Sequence, residues 1–454
     1  MPTSKRRLKA RVCQAIDRRA DEIVAIGEAI WRNPEIGYKE VKTAELVASK
    51  LEALGLDCER GIGLTGVLAK IRGRRKRPNI AALGELDCLV IPEHPEADPA
   101  TGAVHACGHH AQVANMLGLA FGLVDADVMS ELDGSVTLMA VPSEEPLDIE
   151  WRQLMRQQGK LHFLGGKQEF IHEGYFRDVD IALMDHMAIN PKHRISAGIP
   201  KQPGPGMDGF LAKLIRFSGR EAHAGVAPED GVNALNAAML GLLGIHAQRE
   251  TFRGQDSIRV HQIISSGGDS VNVVPADVTV EMMVRGATLE AIKEASAKVD
   301  RALRAGAMAT GASVAIQDIP GYLPSAPSGS VSLAKALAAN MAALVGADQV
   351  DTGSDTIPRV KVPSGGVSDG NDVANIMPIA SMLVNAAEGS LHGRDFRTAD
   401  KELAYVVPAK GWAMTIIDLL YDGAALARKA LSEYRPPIAK KAYAEVWRGI
   451  VGGE

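Results

Sequence analysis

Short, unbroken apolar runs alternate with helix-like segments through the first 190 residues of the chain. Each run is shorter than a typical helix and is apolar at consecutive positions, as in strands that are buried on both faces of a sheet. The runs lie at residues 79–87, 135–141 and 179–184. Helical spacing of apolar residues occurs at residues 13–31, 41–54 and 111–124. This alternation predicts an α/β fold whose mainly parallel sheet carries helices on both faces.

The pattern changes after residue 200. Residues 200–206 are rich in Pro and Gly, which predicts a linker. The segment that follows has the predicted order β-α-β-β-α-β, which is typical of a ferredoxin-like domain. A second Pro- and Gly-rich stretch at residues 320–330 returns the chain to the first pattern. We therefore predict one domain built from residues 1–203 and 320–454, with a second domain, residues 204–319, inserted into it.

The composition and the net charge indicate which class of binding partner to expect. The chain has 454 residues, of which 46% are hydrophobic and 23% charged, values typical of globular proteins large enough for two cores. With 50 Lys and Arg against 55 Asp and Glu, the net charge of −5 provides no broad basic surface for nucleic acid. The basic island at residues 72–77 lies between two predicted strands and is expected to form a solvated hairpin turn. We expect a small-molecule partner and no nucleic acid.

The cysteines and the N-terminus bear on the cellular compartment. The four cysteines, Cys13, Cys58, Cys88 and Cys107, lack the spacing of a disulfide framework, and a chain of this size does not need one. The basic N-terminus lacks the apolar core and the cleavage site of a secretory signal. We expect that no apolar run is long enough to span a bilayer. These features predict a cytoplasmic protein without a membrane partner.

Three imidazoles and a thiol lie within residues 105–110, in the sequence HACGHH. The glycine between Cys107 and His109 lets the backbone turn tightly, so the two side chains can point at one position. A thiolate and an imidazole bind borderline-soft ions such as zinc, and imidazole also binds manganese, nickel or cobalt. The alternative is a buried free cysteine beside solvent-facing histidines. This stretch alone leaves both possibilities open.

Further candidate ligands follow the ends of predicted strands. Glu144 and Glu145 come soon after the run that ends at residue 141, and His186 and His392 follow later strand-like runs. Parallel sheets place their sites at the carboxyl ends of their strands, so these side chains are expected to converge with the HACGHH motif. Adjacent carboxylates leave a strand in different directions, so Glu145 can bind a metal while Glu144 acts as a base. A solvated acidic turn and ordinary surface histidines are the alternatives.

The inserted segment contributes candidates of its own. His223 lies between a predicted strand and a predicted helix, and Asn272 lies in a loop between two strands. Both can donate hydrogen bonds to an oxyanion, and Arg285 can bind a substrate carboxylate. The alternatives are a loop histidine, a turn asparagine and an ordinary edge-strand arginine.

Together these segments resemble a known family of metal-dependent amidohydrolases and peptidases. It includes aminoacylase, carboxypeptidase G, the indole-3-acetyl-amino-acid hydrolases and one of the chains of p-aminobenzoyl-glutamate hydrolase. The matching motifs cover nearly the whole chain in family order: HACGHH at residue 105, PSEEP at 142, the strand end at His186, GREAHAG at 219, GGDSVNVVP at 267, SDGND at 368 and SLHGRDF at 390.

The resemblance implies a zinc-peptidase-like catalytic domain and an inserted domain that forms homodimers or higher homo-oligomers and acts as a lid. It implies one or two divalent metal ions per chain, with manganese or zinc expected first and cobalt or nickel as alternatives. The implied metal ligands are Cys107, His109, Glu145, His186 and His392. Cys107 would lie between two metals, and Glu144 would be the general base. His223, reaching across from a partner chain, would steady the tetrahedral intermediate.

Two departures from the family pattern bear on the chemistry. The amino-acid-conjugate branch has CGHD with another histidine two positions on, where this chain has His110 and Gln112. Other branches carry a first ligand in His-x-Asp at the end of an early strand, where this chain has Glu85-Leu86-Asp87. Asp87 is expected to orient a ligand.

The predicted activity is the hydrolysis of a non-peptide C–N bond, in the amide of an N-acyl or N-aroyl amino acid. Asn272, Arg285 and the glycine-rich loop around Gly366 are the candidates for binding a substrate carboxylate. One alternative is a hydrolytic deaminase of an anthranilate-like aromatic amine. Another alternative is a non-catalytic binding subunit, which the departures from the family pattern at His110 and Gln112 suggest.

Overall fold

The computed structural model describes residues 3–190, 192–197, 207–325, 329–352 and 366–452. The α-helices are α1 (Lys5–Arg18), α2 (Ala20–Trp31), α3 (Val41–Ala53), α4 (His109–Asp125), α5 (Ile149–Gln157), α6 (Gly166–His172), α7 (Ala234–Ala247), α8 (Leu289–Thr310), α9 (Val331–Val345), α10 (Gly370–Ile376), α11 (Lys401–Tyr405), α12 (Val407–Leu420), α13 (Ala425–Glu433) and α14 (Tyr443–Val451). The strands are β1 (Cys58–Ile62), β2 (Gly66–Arg72), β3 (Asn79–Glu85), β4 (Leu89–Val90), β5 (Ala103–Val104), β6 (Ser135–Val141), β7 (Ile181–Met187), β8 (Ile195–Ser196), β9 (Gly209–Ser218), β10 (Arg259–Ser266), β11 (Asp277–Gly286), β12 (Ser313–Tyr322), β13 (Val350–Asp351), β14 (Ile379–Val384), β15 (Ala387–Glu388) and β16 (Arg397–Thr398).

An eight-stranded sheet has the order β1-β2-β6-β3-β7-β14-β8-β13. Its central strands β6, β3, β7 and β14 are mutually parallel, whereas β1 and β2 are added antiparallel at one side. Every residue of β3 and β6 is buried, which explains why both sequences are mostly apolar. The predicted α/β fold with a mainly parallel sheet is confirmed.

Helices cover both faces of this sheet because successive strand residues point to opposite sides. On one face, α4 packs against β3 and against α1, α2 and α12, around a core that includes Phe121 and Trp412. On the other face, Phe163, Phe170 and Trp447 pack against alternate residues of β3 and β6.

One helical stretch, Lys401–Leu420, is long and apolar enough to cross a membrane by length and by its mean hydropathy of 1.3. This finding contradicts the expectation that no apolar run is long enough to span a bilayer. In its most apolar 18-residue window, however, 83% of the stretch is buried inside the protein, in the core beside α4. A buried core helix passes the same test, so the finding is weak evidence for a membrane span.

A four-stranded antiparallel sheet has the order β10-β11-β9-β12. Helices α7 and α8 pack together on one of its faces, around Ile215, Val280 and Leu303. The chain order β9-α7-β10-β11-α8-β12 is the predicted ferredoxin-like order. The exact domain boundaries stay a prediction, and the predicted linker at residues 200–206 lies outside the described residues.

Three local predictions were wrong. The helix predicted over residues 13–31 is two helices, because Arg19 leaves helical geometry with φ −102° and ψ 5°. Strand β12 continues to Tyr322, into the Pro- and Gly-rich stretch at residues 320–330, because Tyr322 pairs with Phe210 across a register shift and is fully buried. The basic turn after β2 is exposed but is not a hairpin, because β6 lies between β2 and β3.

Candidate metal centre

Buried strands end at one edge of the eight-stranded sheet and bring the candidate residues together. Glu85 is the last residue of β3, and His186 is the penultimate residue of β7. Glu144 follows the end of β6 by three positions, and His392 lies in the loop between β15 and β16. Because the central strands are parallel, these carboxyl ends meet at the same edge.

A left-handed turn at Gly108, with φ 106°, directly precedes α4. A Cβ at this position would lie 2.3 Å from the Cβ of Met187, so a larger residue would not fit. The turn allows Cys107 and His109, on either side of the glycine, to point toward the same place.

Cys107, His109 and His186 form one group whose ligand atoms all lie within 4.8 Å of one another. Cys107 Sγ lies 3.1 Å from His186 Nε2. His186 Nδ1 donates to the carbonyl oxygen of Met187 at 2.6 Å, and His109 Nδ1 lies 3.0 Å from the carbonyl oxygen of Asp87. Because a carbonyl oxygen only accepts, each Nδ1 carries a hydrogen, so each ring in its neutral form presents the Nε2 lone pair to a ligand.

Cys107 also belongs to a second group, with Glu145 and His392, that meets the same distance criterion. His392 Nε2 lies 3.2 Å from Cys107 Sγ and 3.2 Å from Glu145 Oε1. The backbone of His392 is left-handed, with φ 60°, and its N–H donates to the carbonyl oxygen of Ala106 at 2.9 Å. The sulfur of Cys107 is thus common to both groups.

Asp87 connects the two groups. Its Oδ1 lies 3.0 Å from His109 Nδ1, and its Oδ2 accepts from the backbone N–H of Glu145 at 2.8 Å. Burial alone would raise the pKa of Asp87, but the hydrogen bond and charge of His109 hold it below the usual value. The predicted position of Asp87 beside a ligand candidate agrees with this geometry, and its orienting role stays a prediction.

The donor set fits a divalent transition metal. His109 Nε2 and Glu145 Oε1 are buried and make no hydrogen bond, although Glu85 and His392 lie near them. Burial lowers the pKa of His186, which favours the neutral imidazole that metals bind. Burial raises the pKa of the Cys107 thiol, so its thiolate requires a cation beside it. The structure therefore brings together all five predicted ligands, and their role as ligands stays a prediction.

Glu144, the predicted base, borders the first group. Its Oε2 lies 4.0 Å from His109 Nε2. Burial first, and then the charges of Glu85 and Glu145, raise the pKa of Glu144 well above the usual value. The Tyr322 hydroxyl donates to the backbone carbonyl of Glu144 at 2.5 Å, which holds this turn against strand β12.

A buried charge cluster behind the site was not predicted. Lys167 Nζ forms an ion pair with Asp369 at 2.5 Å and a shorter one with Glu85, and all three residues are buried. Although burial opposes it, the charges of Asp369 and Glu85 raise the pKa of Lys167 above its usual value, so the amine is charged. Glu85 Oε2 in turn lies 3.1 Å from His109 Nε2. The cluster therefore positions a carboxylate beside a ligand candidate.

The two residues that depart from the family pattern have structural partners. Gln112 Nε2 donates to Glu85 Oε2 at 2.6 Å, and Gln112 Oε1 accepts from the backbone N–H of Glu85 at 3.2 Å. His110 packs edge-on against Trp31 and Tyr405, and its Nε2 lies 3.1 Å from Thr398 Oγ1. These contacts account for both residues without a change in the ligand set.

The candidates of the inserted segment are not part of this cluster. His223 and Asn272 are exposed. Within the described residues their hydrogen bonds are local, from Gly225 and Val226 to His223 Nδ1 and from Ala224 to Asn272 O. His223 therefore does not reach the ligand cluster through any contact within the described chain.

The two remaining substrate-binding candidates lie beside Asp208. The carbonyl of Gly366 accepts from the backbone N–H of Asp208 at 3.0 Å, and residues 353–365 of its loop lie outside the described chain. Arg285 is half-buried, and burial lowers its pKa while the charges of Glu145, Asp208 and Glu144 raise it. These negative charges therefore offset part of the effect of burial on the pKa of Arg285.

Comparisons with known proteins agree with the resemblance predicted from the sequence. Residues 206–310 match the peptidase dimerisation domain. The chain is 30% identical over 273 residues to thermostable carboxypeptidase 2 of Saccharolobus solfataricus, covering 58% of this chain and 63% of that protein. It is 26% identical over 288 residues to the IAA-amino acid hydrolase ILR1-like 4 of Arabidopsis thaliana, covering 62% and 60%. It is 30% identical over 240 residues to one chain of the p-aminobenzoyl-glutamate hydrolase of Escherichia coli, covering 50% and 48%.

Each of these three sequence matches covers less than two thirds of the relative's own length. Solved structures cover more of the chain. A dinuclear metal-binding peptidase of the M20 family from Bacillus subtilis matches with a TM-score of 0.60 at 23% identity, over 89% of this chain and 99% of that one. An aminobenzoyl-glutamate utilization protein from Klebsiella pneumoniae matches with a TM-score of 0.64 at 20% identity, over 90% and 98%. The predicted resemblance to these hydrolases and the predicted fold are confirmed.

Proposed function

We propose that this chain is a metal-dependent amidohydrolase that cleaves the C–N bond of an N-acyl or N-aroyl amino acid. The observation that carries the proposal is the pair of three-residue groups that share Cys107, with Glu144 at their border. The names of the relatives support it, because they include hydrolases of indole-3-acetyl-amino acids and of p-aminobenzoyl-glutamate. The substrate of this chain is proposed by analogy with theirs.

The proposed ligands are Cys107, His109, Glu145, His186 and His392, which would hold one or two divalent ions. We expect manganese or zinc, with cobalt or nickel as alternatives, because the set combines sulfur, imidazole and carboxylate. Such an ion would lower the pKa of a water and polarise the substrate carbonyl.

Glu144 would move the proton in this reaction. It accepts a proton from the attacking water and then gives it to the nitrogen of the leaving amine. Its raised pKa makes the carboxylate a stronger base, and the carboxyl that forms can then donate the same proton. Asp87 would hold His109 and Glu145 in place during the reaction.

We further propose that the chain forms a homodimer or a higher homo-oligomer through its dimerisation domain, and that His223 acts in a partner's site. The match to this domain supports the oligomer, and the local contacts of His223 support its use elsewhere. The four-stranded sheet and its helices also expose large apolar side chains: Met239, Leu240 and Leu243 on α7, Met308 on α8, and Ile263 and Ile264 on β10. The four free cysteines accord with a cytoplasmic location, which we also propose.

The test is to measure metal content alongside turnover of N-acetyl, N-benzoyl and p-aminobenzoyl amino acids, with anthranilates in the same panel. We expect bound divalent metal and a chelator-sensitive release of amino acid from at least one amide. Ammonia release from anthranilates alone would replace the proposal with an aromatic deaminase. No bound metal and no turnover after addition of manganese, zinc, cobalt or nickel would leave a binding subunit.

A further inference from the structure

The turn that carries Glu145 is held by buried side chains from outside it. The backbone N–H of Glu145 donates to Asp87 Oδ2 at 2.8 Å, and the Tyr322 hydroxyl donates to the carbonyl oxygen of Glu144 at 2.5 Å. The carbonyl oxygen of Glu145 accepts from Arg152 Nη2 at 2.7 Å. Both backbone polar groups of Glu145 are therefore bonded to side chains that lie outside the turn.

The guanidinium of Arg152, in α5, occupies a closed position. The residue is 1% exposed, and its Nη1 donates to the carbonyl oxygen of Leu164 at 2.8 Å. Ser143 Oγ donates to the same carbonyl at 3.2 Å. A Cβ at Gly37 would lie 2.7 Å from Arg152 Nη2, so the backbone of Gly37 closes over the guanidinium. The group is thus fixed between two carbonyl oxygens.

The charge of Arg152 is buried without an ion pair. Among the described residues no carboxylate pairs with it, and its Nε is buried without a hydrogen-bond acceptor. The ring of Tyr38, whose centroid lies 5.2 Å from the guanidinium carbon, is its aromatic partner. Arginine stays protonated in proteins, and a buried charge without a counterion is costly. An apolar side chain of similar volume would avoid this cost, so the stability of the fold alone does not account for an arginine here.

Helix α5 is itself anchored, at its first turn, against the four-stranded sheet. Ile149 belongs to the same apolar cluster as Leu214 of β9. The backbone N–H of Glu150 donates to Glu281 Oε1 at 3.1 Å, and the Glu150 carboxylate forms an ion pair with Arg216 at 2.6 Å. The helix that carries the buried arginine is therefore held at both ends of its first turn, by this sheet and by the turn at the metal centre.

We propose that Arg152 is a positioning residue for Glu145, and that its bond to the Glu145 carbonyl sets the metal affinity of the second ligand group, Cys107, Glu145 and His392. Glu145 Oε1 lies 3.2 Å from His392 Nε2, so a small rotation of the Glu145 backbone would separate these two ligand atoms. Hydrogen bonds that orient a ligand from behind account for about 10–100-fold in metal affinity. This inference rests on the proposed function for the presence of the metal.

The experiment compares wild type, Arg152→Met and Arg152→Lys in two measurements. Zinc affinity is measured by competition with a chromophoric chelator. Hydrogen exchange of residues 143–147 is measured in metal-free protein, relative to exchange in α9, because a general loss of stability would speed exchange in both segments. Arg156→Met is the matched control, because Arg156 lies one turn further along α5 and its Nε also donates to a backbone carbonyl, that of His162, at 2.8 Å.

We expect Arg152→Met to weaken zinc binding by about 10-fold or more and to speed exchange of the Glu145 and Leu147 amides, relative to α9, by about 10-fold or more. The Leu147 amide reports on the turn because it donates to the same Glu145 carbonyl at 2.9 Å. Arg152→Lys should fall between wild type and Arg152→Met, since lysine keeps the charge but not the planar fork. Arg156→Met should stay within about 2-fold of wild type in both measurements.

Unchanged zinc affinity or unchanged relative exchange in Arg152→Met would overturn the proposal, even if the variant unfolds at a lower urea concentration, because a purely structural arginine would change stability alone. If Arg152→Met does not fold, Arg152→Lys is judged by the same two measurements. If wild type binds no metal, the proposed function fails separately, and hydrogen exchange decides about Arg152. Faster exchange of the turn would then support its positioning by Arg152, and unchanged exchange would overturn it.

Discussion

The ligand candidates and the oxyanion candidates of this protein are held in opposite ways. Cys107, His109 and Glu145 are buried, and their ligand atoms are positioned by contacts within one chain. His223 and Asn272 are exposed, and their hydrogen bonds are limited to neighbouring loop residues. The difference teaches that contacts within one chain position the ligand candidates, whereas the described chain does not bring His223 and Asn272 to them. We propose that a partner chain completes this exposed half of the site.

The largest effect on activity is expected from a substitution in the buried half of the site. Glu144→Gln keeps the shape of the side chain but cannot accept a proton from water. We expect kcat to fall by about 10³-fold or more, with metal content unchanged, because general-base catalysis alone contributes about 10²–10⁴-fold. Steady-state kinetics and elemental analysis of the same preparation test this. Full turnover by Glu144→Gln would remove Glu144 from the mechanism.

The buried half also depends on the charge cluster behind it. Lys167→Met leaves Glu85 and Asp369 buried without their cation, and we expect a loss of about 3–5 kcal/mol in the free energy of unfolding in urea. Lys39→Met is the control, because Lys39 makes an exposed ion pair with Asp148 that contributes about 1 kcal/mol or less. Combining Lys167→Met with Glu85→Gln and Asp369→Asn should recover part of the loss. A loss no larger than that of Lys39→Met would show that the cluster does not stabilise the fold.

The exposed half can be tested by mixing variants. His223→Ala should lower kcat by about 10²-fold if it removes an oxyanion donor. If His223 acts in a partner's site, mixed dimers of His223→Ala and Glu144→Gln contain one intact site. Random mixing should then restore about a quarter of the wild-type sites. Failure of the mixture to recover activity, in dimers shown to exchange chains, would place His223 in its own chain's site and weaken the contrast between the halves.

A smaller effect is expected in the dependence of stability on pH, to which the buried carboxyl group of Asp372 contributes. Asp372 accepts hydrogen bonds from the Tyr443 hydroxyl at 2.6 Å and the Leu323 backbone at 3.2 Å, yet burial raises its pKa to about 7. The folded protein thus binds this proton more tightly than the unfolded chain. The resulting stabilisation is fully present below about pH 4, declines as pH rises and is lost above about pH 7.

Urea denaturation at pH 5 and pH 8 measures this dependence. Wild type should lose about 2 kcal/mol more between these pH values than Asp372→Asn does, since the amide does not titrate. Asp348→Asn, at an exposed carboxylate, should retain the wild-type dependence. An identical pH dependence in Asp372→Asn and wild type would exclude Asp372 as the titrating group.

The sequence predicted the parts of the site that follow from local pattern. The HACGHH motif and the ends of buried strands identified residues that the structure places together, because parallel strands share one edge. Lys167 was not predicted, since its helix carries no periodic signal that distinguishes a buried lysine from an exposed one. Glu85 was noticed beside Asp87, but its ion pair depends on α6 and on the turn before α10, which are distant in the sequence. The break at Arg19 and the extension of β12 to Tyr322 likewise depend on packing that local patterns do not contain.

The shared sulfur of Cys107 has a consequence for the loading of the site. Burial opposes ionisation of this thiol, and its deprotonation is required once for both groups of ligands. Occupation of either group would thus leave the other with a thiolate already formed, whereas the proximity of two cations would oppose the second binding step. If both groups bind metal as we propose, their occupancies would be thermodynamically linked, and a metal titration of this chain should depart from that of two independent sites.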